Sequence, residues 1–172
     1  MAVTGLKAMA ATRALKLGSF VIEYATPGIG HTLKNAGCEF AMLDMEHSGF
    51  GYETVKAALG WFAAAGLPVI VRPPSQEVHH IARAADMGAE GIMVPMVGAG
   101  EQAARFVAAA RYTPEGRRGV ALGIAHDRYG TAPPHQTMAA ANRRMTCVAL
   151  IETADGIDNA DAIAGTPGID VV

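Results

Sequence analysis

Short apolar runs alternate with stretches of helical spacing along this chain, and that alternation sets the first expectation. "KLGSFVIEY" reads as a strand and "TPGIGHTLKNAG" as a short helix stopped by Gly37. "EFAMLDME" is a second strand, followed by "GYETVKAALGWFAAAG", a helix closed by Gly66. "LPVIVRP" is a third strand, halted by Pro73-Pro74. Ser75 then reads as the N-cap of the helix "QEVHHIARAADMG", with Glu77 in the first turn and Gly88 just past the end. "GIMVPMV", "CVALIET" and "GIDVV" bring the strands to six, and "GAGEQAARFVAAARY" and "NADAIAG" add helices. Ahead of all these, "LKAMAATRALKLG" reads as a short surface helix. The longest irregular piece, "TPEGRRGVALGIAHDRYGTAPPHQT", has the length of a functional lid or interface rather than an idle connector.

The strands lack clean polar alternation, which suits a parallel sheet covered by helices. Strict β–α order with short connections makes this an α/β fold, and six such strands fit either a doubly wound sheet or part of a (β/α)8 TIM barrel. No repeat and no interior linker divides residues 1–172, so a single domain is expected. "GIDVV" stops inside an apolar run, which carries the further expectation that the 172 residues are a truncated piece of a longer barrel.

Composition agrees with a buried core: 51% of residues are hydrophobic, 17% are charged, and the formal net charge is -2. With no basic tract, nothing points to nucleic acid or an anionic membrane as partner. Lys7, Arg13 and Lys16 interrupt the first twenty residues, so no signal-peptide core or membrane span is read there. Cys38 and Cys147 adjoin apolar runs and read as reduced, buried thiols, without a CxxC pair or a disulfide framework. A cytoplasmic enzyme or binding protein is the expectation.

The chemistry is positional. Asp44, Glu46 and His47 end the second strand, Arg72 ends the third and Glu152 the fifth. In parallel α/β folds the C-terminal strand ends form one ligand-binding rim, so these residues are expected to converge. Val148, Leu150 and Glu152 share one strand face by the period of two, which carries a buried row up to that rim. Taken singly, each residue has an ordinary explanation. His79 and His80 read as exposed or packed polar groups, His126-Asp127 as part of a solvated loop, and Asp86 as a surface charge at a helix end where the macrodipole disfavours an anion. Together, carboxylates, a histidine and an arginine at three strand ends supply the parts for oxygen-rich metal binding, proton transfer and oxyanion stabilisation. A chelating 2-oxo acid is a substrate of matching chemistry.

"LKLGSF", "MLDMEH", "PVIVRP", "AADMGAEGIMVPMV", "RYTPEGRRG" and "ALIETADGIDNADAI" stand in an order and spacing that closely resemble the HpcH/HpaI family of class II 4-hydroxy-2-oxo-acid (pyruvate) aldolases. The resemblance covers nearly the whole chain. It implies a metal-dependent (β/α)8 barrel that cleaves or forms a 4-hydroxy-2-oxo acid from a pyruvate or hydroxypyruvate enolate and an aldehyde. It implies His47 as the histidine of proton transfer, Asp86 as its aspartate partner, and Arg72 as the group holding the pyruvyl oxygens. Glu152 would be one of two carboxylate ligands to Mg²⁺, Mn²⁺ or Co²⁺, the second being an aspartate beyond Val172. Asp44 and Glu46 would orient water and the histidine, and a homo-oligomer, trimer or hexamer, is implied as well. One departure stands out: Leu150 occupies a position where the family usually has glutamine. Two alternatives remain beside this reading. One is an acyl-CoA lyase of the citramalyl- or malyl-CoA type, with Arg117, Arg118 and Arg128 available for phosphates, and the other is a non-catalytic barrel remnant that binds a metabolite.

Overall fold

Branched apolar side chains on both faces of a strand bury it completely, and five of the six expected runs do pair in this way. The computed structural model describes residues 5–172. Its strands are β1 (Gly18–Val21), β2 (Phe40–Asp44), β3 (Val69–Arg72), β4 (Gly91–Val94) and β5 (Thr146–Ala149). They form one parallel sheet in the order β1-β2-β3-β4-β5. Strand order that follows the chain without reversing has no switch point, so the doubly wound alternative is excluded and the sheet is a stretch of barrel wall. The helices are α1 (Leu6–Ala10), α2 (Ile29–Asn35), α3 (Tyr52–Ala65), α4 (Val78–Asp86), α5 (Gly100–Ala110), α6 (Pro134–Arg144), α7 (Ala154–Asp158) and α8 (Ala160–Ala164).

The period of two divides each strand between two environments. Ala41, Leu43, Val69, Val71, Ile92, Val94, Cys147 and Ala149 pack outward into one core with Phe62 of α3, Ile81 of α4 and Phe106 of α5. Met42, Ile70, Met93 and Val148 face the barrel interior, where Leu6 of α1 joins them. Inner-face residues stand side by side in register, Phe20 against Met42, Met42 against Ile70, and Asp44 against Arg72. Asp44 and Arg72 therefore crown adjacent inner rows.

At the opposite end of the strands, α1 closes the floor of the barrel. Leu6 is buried there because Gly91 leaves room: a Cβ at residue 91 would stand 3.1 Å from Ile70 and 3.2 Å from Leu6. Asp170 pins that floor from several sides. Its carboxylate accepts the Cys147 N–H at 2.9 Å and meets Arg111, just after α5, at 3.3 Å and Lys7 of α1 at 3.1 Å.

Several expectations need correction. Ser75 does not cap α4: the N-cap is Glu77, and the Ser75 hydroxyl instead accepts the Glu77 N–H at 3.2 Å in the turn before the helix. The long irregular piece ends early, because Pro133-Pro134 starts α6 rather than prolonging a loop, Pro134 standing where a missing N–H costs nothing. Helix α7 was not anticipated; the Thr153 hydroxyl caps it by accepting the Gly156 N–H. The first helix is confined to Leu6–Ala10, and its Leu6 is buried. "GIDVV" forms no full strand among the described residues, only a parallel bridge from Val171 to Val148 on the expected side of β5.

Candidate active site

Asp44 is the last residue of β2, and its carboxylate organises everything immediately above it. Oδ1 accepts the Glu46 N–H at 2.9 Å and Oδ2 the His47 N–H at 3.3 Å, while the Ser48 hydroxyl donates back to the Asp44 carbonyl. An aspartate that satisfies the N–H groups two and three residues on folds its own chain into a tight turn. That turn lifts the Glu46 and His47 side chains above the strand ends.

The same carboxylate takes Arg72 in a two-pronged pair, Nε to Oδ1 at 2.7 Å and Nη2 to Oδ2 at 2.8 Å. Asp44 is fully buried and Arg72 nearly so, which makes this a desolvated ion pair with both carboxylate oxygens doubly hydrogen-bonded. Burial works to raise the Asp44 carboxyl pKa, but the Arg72 guanidinium and the N–H groups of Glu46 and His47 outweigh it and hold the group below its ordinary value. The flat face of the guanidinium lies 5.1 Å from the centre of the Phe20 ring, which rises from β1 on the inner face. Arg72 Nη1 comes within 3.1 Å of Glu46 Oε2, yet its N–H directions miss that oxygen, leaving it buried, charge-paired and without a hydrogen bond. His47 Nε2 stands 3.7 Å from the same oxygen, with its side chain 68% exposed.

A guanidinium has five N–H protons. Asp44 occupies two, so Arg72 keeps protons on Nη1 and Nη2 for an anionic oxygen arriving from the rim. This is a preorganised oxyanion donor beside a carboxylate and a solvent-accessible imidazole.

Glu152 follows β5 at the same end of the sheet and is exposed. Its Oε1 accepts the Met96 N–H at 2.8 Å from the turn after β4, and its charge reaches Arg72. Asp86 lies elsewhere. Helix α4 returns antiparallel to the strands, and its nine residues span roughly 13 Å. That carries Asp86 to the floor end, where it pairs with Arg118 rather than with His47. The His47–Asp86 pairing expected from the sequence is therefore not formed within one chain. Arg118 is in turn taken up by Asp86 and by the Tyr112 ring face at 4.5 Å, with its side chain 2% exposed, so it is not available to phosphates.

The remaining polar residues resolve simply. His79 is exposed, and His80 is half-buried with its Nδ1 2.9 Å from the Ser75 hydroxyl. His126 is not a solvated loop residue: it is buried against Tyr112, with Nε2 2.7 Å from the Ala121 carbonyl. Cys147 is buried, whereas Cys38 is partly exposed.

A hard divalent cation needs several oxygen donors. Glu152 Oε2 and the buried, unbonded Glu46 Oε2 have that character. Among the described residues, however, no group of three or more His, Cys, Asp or Glu is placed to hold a metal ion, so they supply a partial donor set and not a closed site. No described helix is long and apolar enough to cross a membrane.

Two contributors were not read from the sequence. Phe20 was signalled by the two-residue period of β1, which puts it on the face that Arg72 shares. Gln76, whose side-chain amide reaches the Pro95 and Met96 carbonyls at 3.0 and 2.8 Å, carried no signal at all, because its partners are backbone groups of a distant turn.

Residues 19–172 match the family described as HpcH/HpaI aldolase/citrate lyase. The chain is 35% identical over 150 residues to a hydroxypyruvate/pyruvate aldolase of Chromohalobacter salexigens, covering 87% of this chain and 58% of the relative. It is 35% identical over 164 residues to a 5-keto-4-deoxy-D-glucarate aldolase of Salmonella paratyphi A, covering 95% of this chain and 63% of that one. The crystal structure of an HpcH/HpaI aldolase/citrate lyase family protein from Burkholderia cenocepacia J2315 superposes with a TM-score of 0.85 at 29% identity, over 96% of this chain and 66% of that chain. The chain thus spans roughly three-fifths of the length of the curated relatives it matches.

Proposed function

The chain belongs to the HpcH/HpaI aldolase/citrate lyase family, and from that premise we propose a divalent-metal-dependent carbon–carbon lyase that cleaves or forms a 4-hydroxy-2-oxo acid. Its halves are a pyruvate or hydroxypyruvate enolate and an aldehyde. The observation that carries the reading is the buried Asp44–Arg72 pair at the strand ends, which aims the unused Arg72 protons at the rim.

Breaking the bond between C3 and C4 of such an acid leaves electrons on the 2-oxo oxygen, and the barrier falls if that oxygen meets a fixed positive donor. Arg72 is fixed by Asp44 along its edge and by Phe20 against its face, with the Glu46 carboxylate 3.1 Å from Nη1 as a further countercharge. It therefore needs no reorganisation as the charge develops. His47, on the turn that Asp44 builds, reaches solvent and passes a proton between water and the C4 hydroxyl. Glu46 sits between imidazole and guanidinium and holds both toward the substrate. Glu152 would hold the cation together with substrate oxygens and donors outside the described residues, and the cation would supply Lewis-acid polarisation of the 2-oxo group. Mg²⁺, Mn²⁺ and Co²⁺ all suit such oxygen ligands.

A partner aspartate for His47 has to come from a second copy of the chain, since Asp86 of the same chain is at the other end of α4. A cytoplasmic homo-oligomer is accordingly part of the proposal.

The test is aldol cleavage by the purified natural-length protein. Chelator abolishes turnover and Mn²⁺, Mg²⁺ or Co²⁺ restores it. Arg72→Ala and Glu152→Ala each lower kcat/KM by ~100-fold or more, the scale set by loss of one oxyanion donor. Cleavage that survives chelator, or either substitution, would refute the assignment.

A further inference from the structure

Met96 adopts φ +57°, a left-handed backbone that a non-glycine side chain takes up under strain, and its side chain is 51% exposed. Burial therefore does not explain the conformation. The local hydrogen bonds locate the distortion. Leu150 N–H donates to the Val94 carbonyl at 3.0 Å, and Val97 N–H donates to the Leu150 carbonyl at 3.0 Å. A regular parallel ladder leaves one residue between such anchors, whereas Pro95 and Met96 both lie there, so the chain carries one extra residue, a bulge at the end of β4.

Two contacts hold the bulge in shape. The Gln76 amide nitrogen gives its two protons to the carbonyls of Pro95 and Met96, at 3.0 and 2.8 Å. On the other side, the Met96 N–H donates to Glu152 Oε1 at 2.8 Å. An N–H group follows its peptide plane, so the turn that Gln76 clamps is the turn that aims this N–H at the carboxylate. With Oε1 fixed, the Glu152 head group is held in one orientation and Oε2 is left over.

We infer that Gln76 is a positioning residue: by clamping the left-handed Pro95–Met96 turn, it delivers the Met96 N–H to Glu152 and orients that carboxylate at the rim. The inference rests on the reading of Glu152 as a working carboxylate of the lyase. Gln76 has no hydrogen bond to Glu152 and acts through a turn 19 and 20 residues further along the chain, beyond the next strand but adjacent in space.

The hydrogen bond itself supplies a readout that needs no metal and no turnover. In natural-length protein labelled with ¹⁵N at methionine and held at one neutral pH, the Met96 amide proton lies downfield because it donates to a carboxylate oxygen, and Glu152→Ala moves it upfield. Gln76→Ala is expected to move it upfield too, and to lower kcat/KM for 2-oxo-acid cleavage about tenfold with the melting temperature kept. Glycine takes positive φ without strain, so adding Met96→Gly to Gln76→Ala is expected to restore kcat/KM to within about threefold of wild type. A Met96 amide that keeps its wild-type chemical shift in Gln76→Ala overturns the inference, as does an activity loss that Met96→Gly fails to repair. If Glu152→Gln retains wild-type cleavage, the function assigned to Glu152 falls, and with it the positioning role; normal loss in Glu152→Gln with no loss in Gln76→Ala removes the positioning role alone.

Discussion

Asp44→Ala is the most informative single change in this protein. It deletes an acceptor of four hydrogen bonds, two from Arg72 and one each from the Glu46 and His47 N–H groups, at a position with 0% exposure. Removing one partner of a buried ion pair costs about 3–5 kcal/mol, because the surviving charge is stranded. Here Glu46 remains 3.1 Å from Arg72 and the guanidinium side chain keeps 10% exposure, so the lower end applies, about 3 kcal/mol. For a domain of this size that corresponds to a fall of about 6–12 °C in Tm. Thermal unfolding of the natural-length protein, followed by circular dichroism, measures it. The reasoning also fixes a sign: Asp44→Ala/Arg72→Met removes the stranded charge and is expected to melt above Asp44→Ala alone. A Tm unchanged by Asp44→Ala, or a double variant that melts lower than the single one, would refute the argument. The pH dependence follows from the depressed Asp44 carboxyl. Its contribution is complete above the unfolded-state value near 4 and is lost as pH falls through the folded value, so the gap between wild type and Asp44→Ala closes in acid.

Gly91→Val is expected to destabilise by about 1–3 kcal/mol through overpacking, since its Cβ would press on Ile70 and Leu6, and to make the α1 segment a site of limited proteolysis. The Cys147 thiol, pushed up to about 11 by burial against the opposing pull of Arg111, is expected to resist alkylation at pH 8 while Cys38 reacts; mass mapping of the labelled peptides decides it. Because the folded Cys147 pKa is raised, its contribution to stability is intact below the unfolded value of roughly 8.5 and declines as pH rises toward about 11, which a Tm series in alkaline buffers would reveal against Cys147→Ala.

The strands were legible because residues such as Val69, Ile70 and Val71 are apolar on both faces, a pattern that only a covered parallel sheet buries. Helix α6 was hidden by its own start signal: "TAPPHQT" reads as a loop until the prolines are placed in a first turn. Ser75 misled in a similar way, since a serine hydroxyl that accepts an N–H two residues on looks in sequence like a cap one turn later. At the rim, strand-end position alone grouped Asp44, Glu46, His47 and Arg72, and the structure places these four together. What position could not convey is that Asp44 supports Arg72 and the histidine-bearing turn with one carboxylate. Nor could it convey that Asp86 lies a helix length away. Gln76 and Met96 were invisible because their contribution runs through main-chain groups, which every residue type carries alike.

Asp170 brings a different consequence. Its carboxylate ties Lys7 to Arg111 and to the Cys147 amide, joining groups from near both ends of the described chain. During synthesis, α1 emerges ahead of the strands it docks against, and its anion, residue 170, follows only after them. Contacts this distant in sequence form late, after the loop between them has been closed. Leu6 and the inner faces of Ile70 and Val148 are therefore expected to gain protection after the strands pair, an order that pulsed hydrogen exchange during refolding would read.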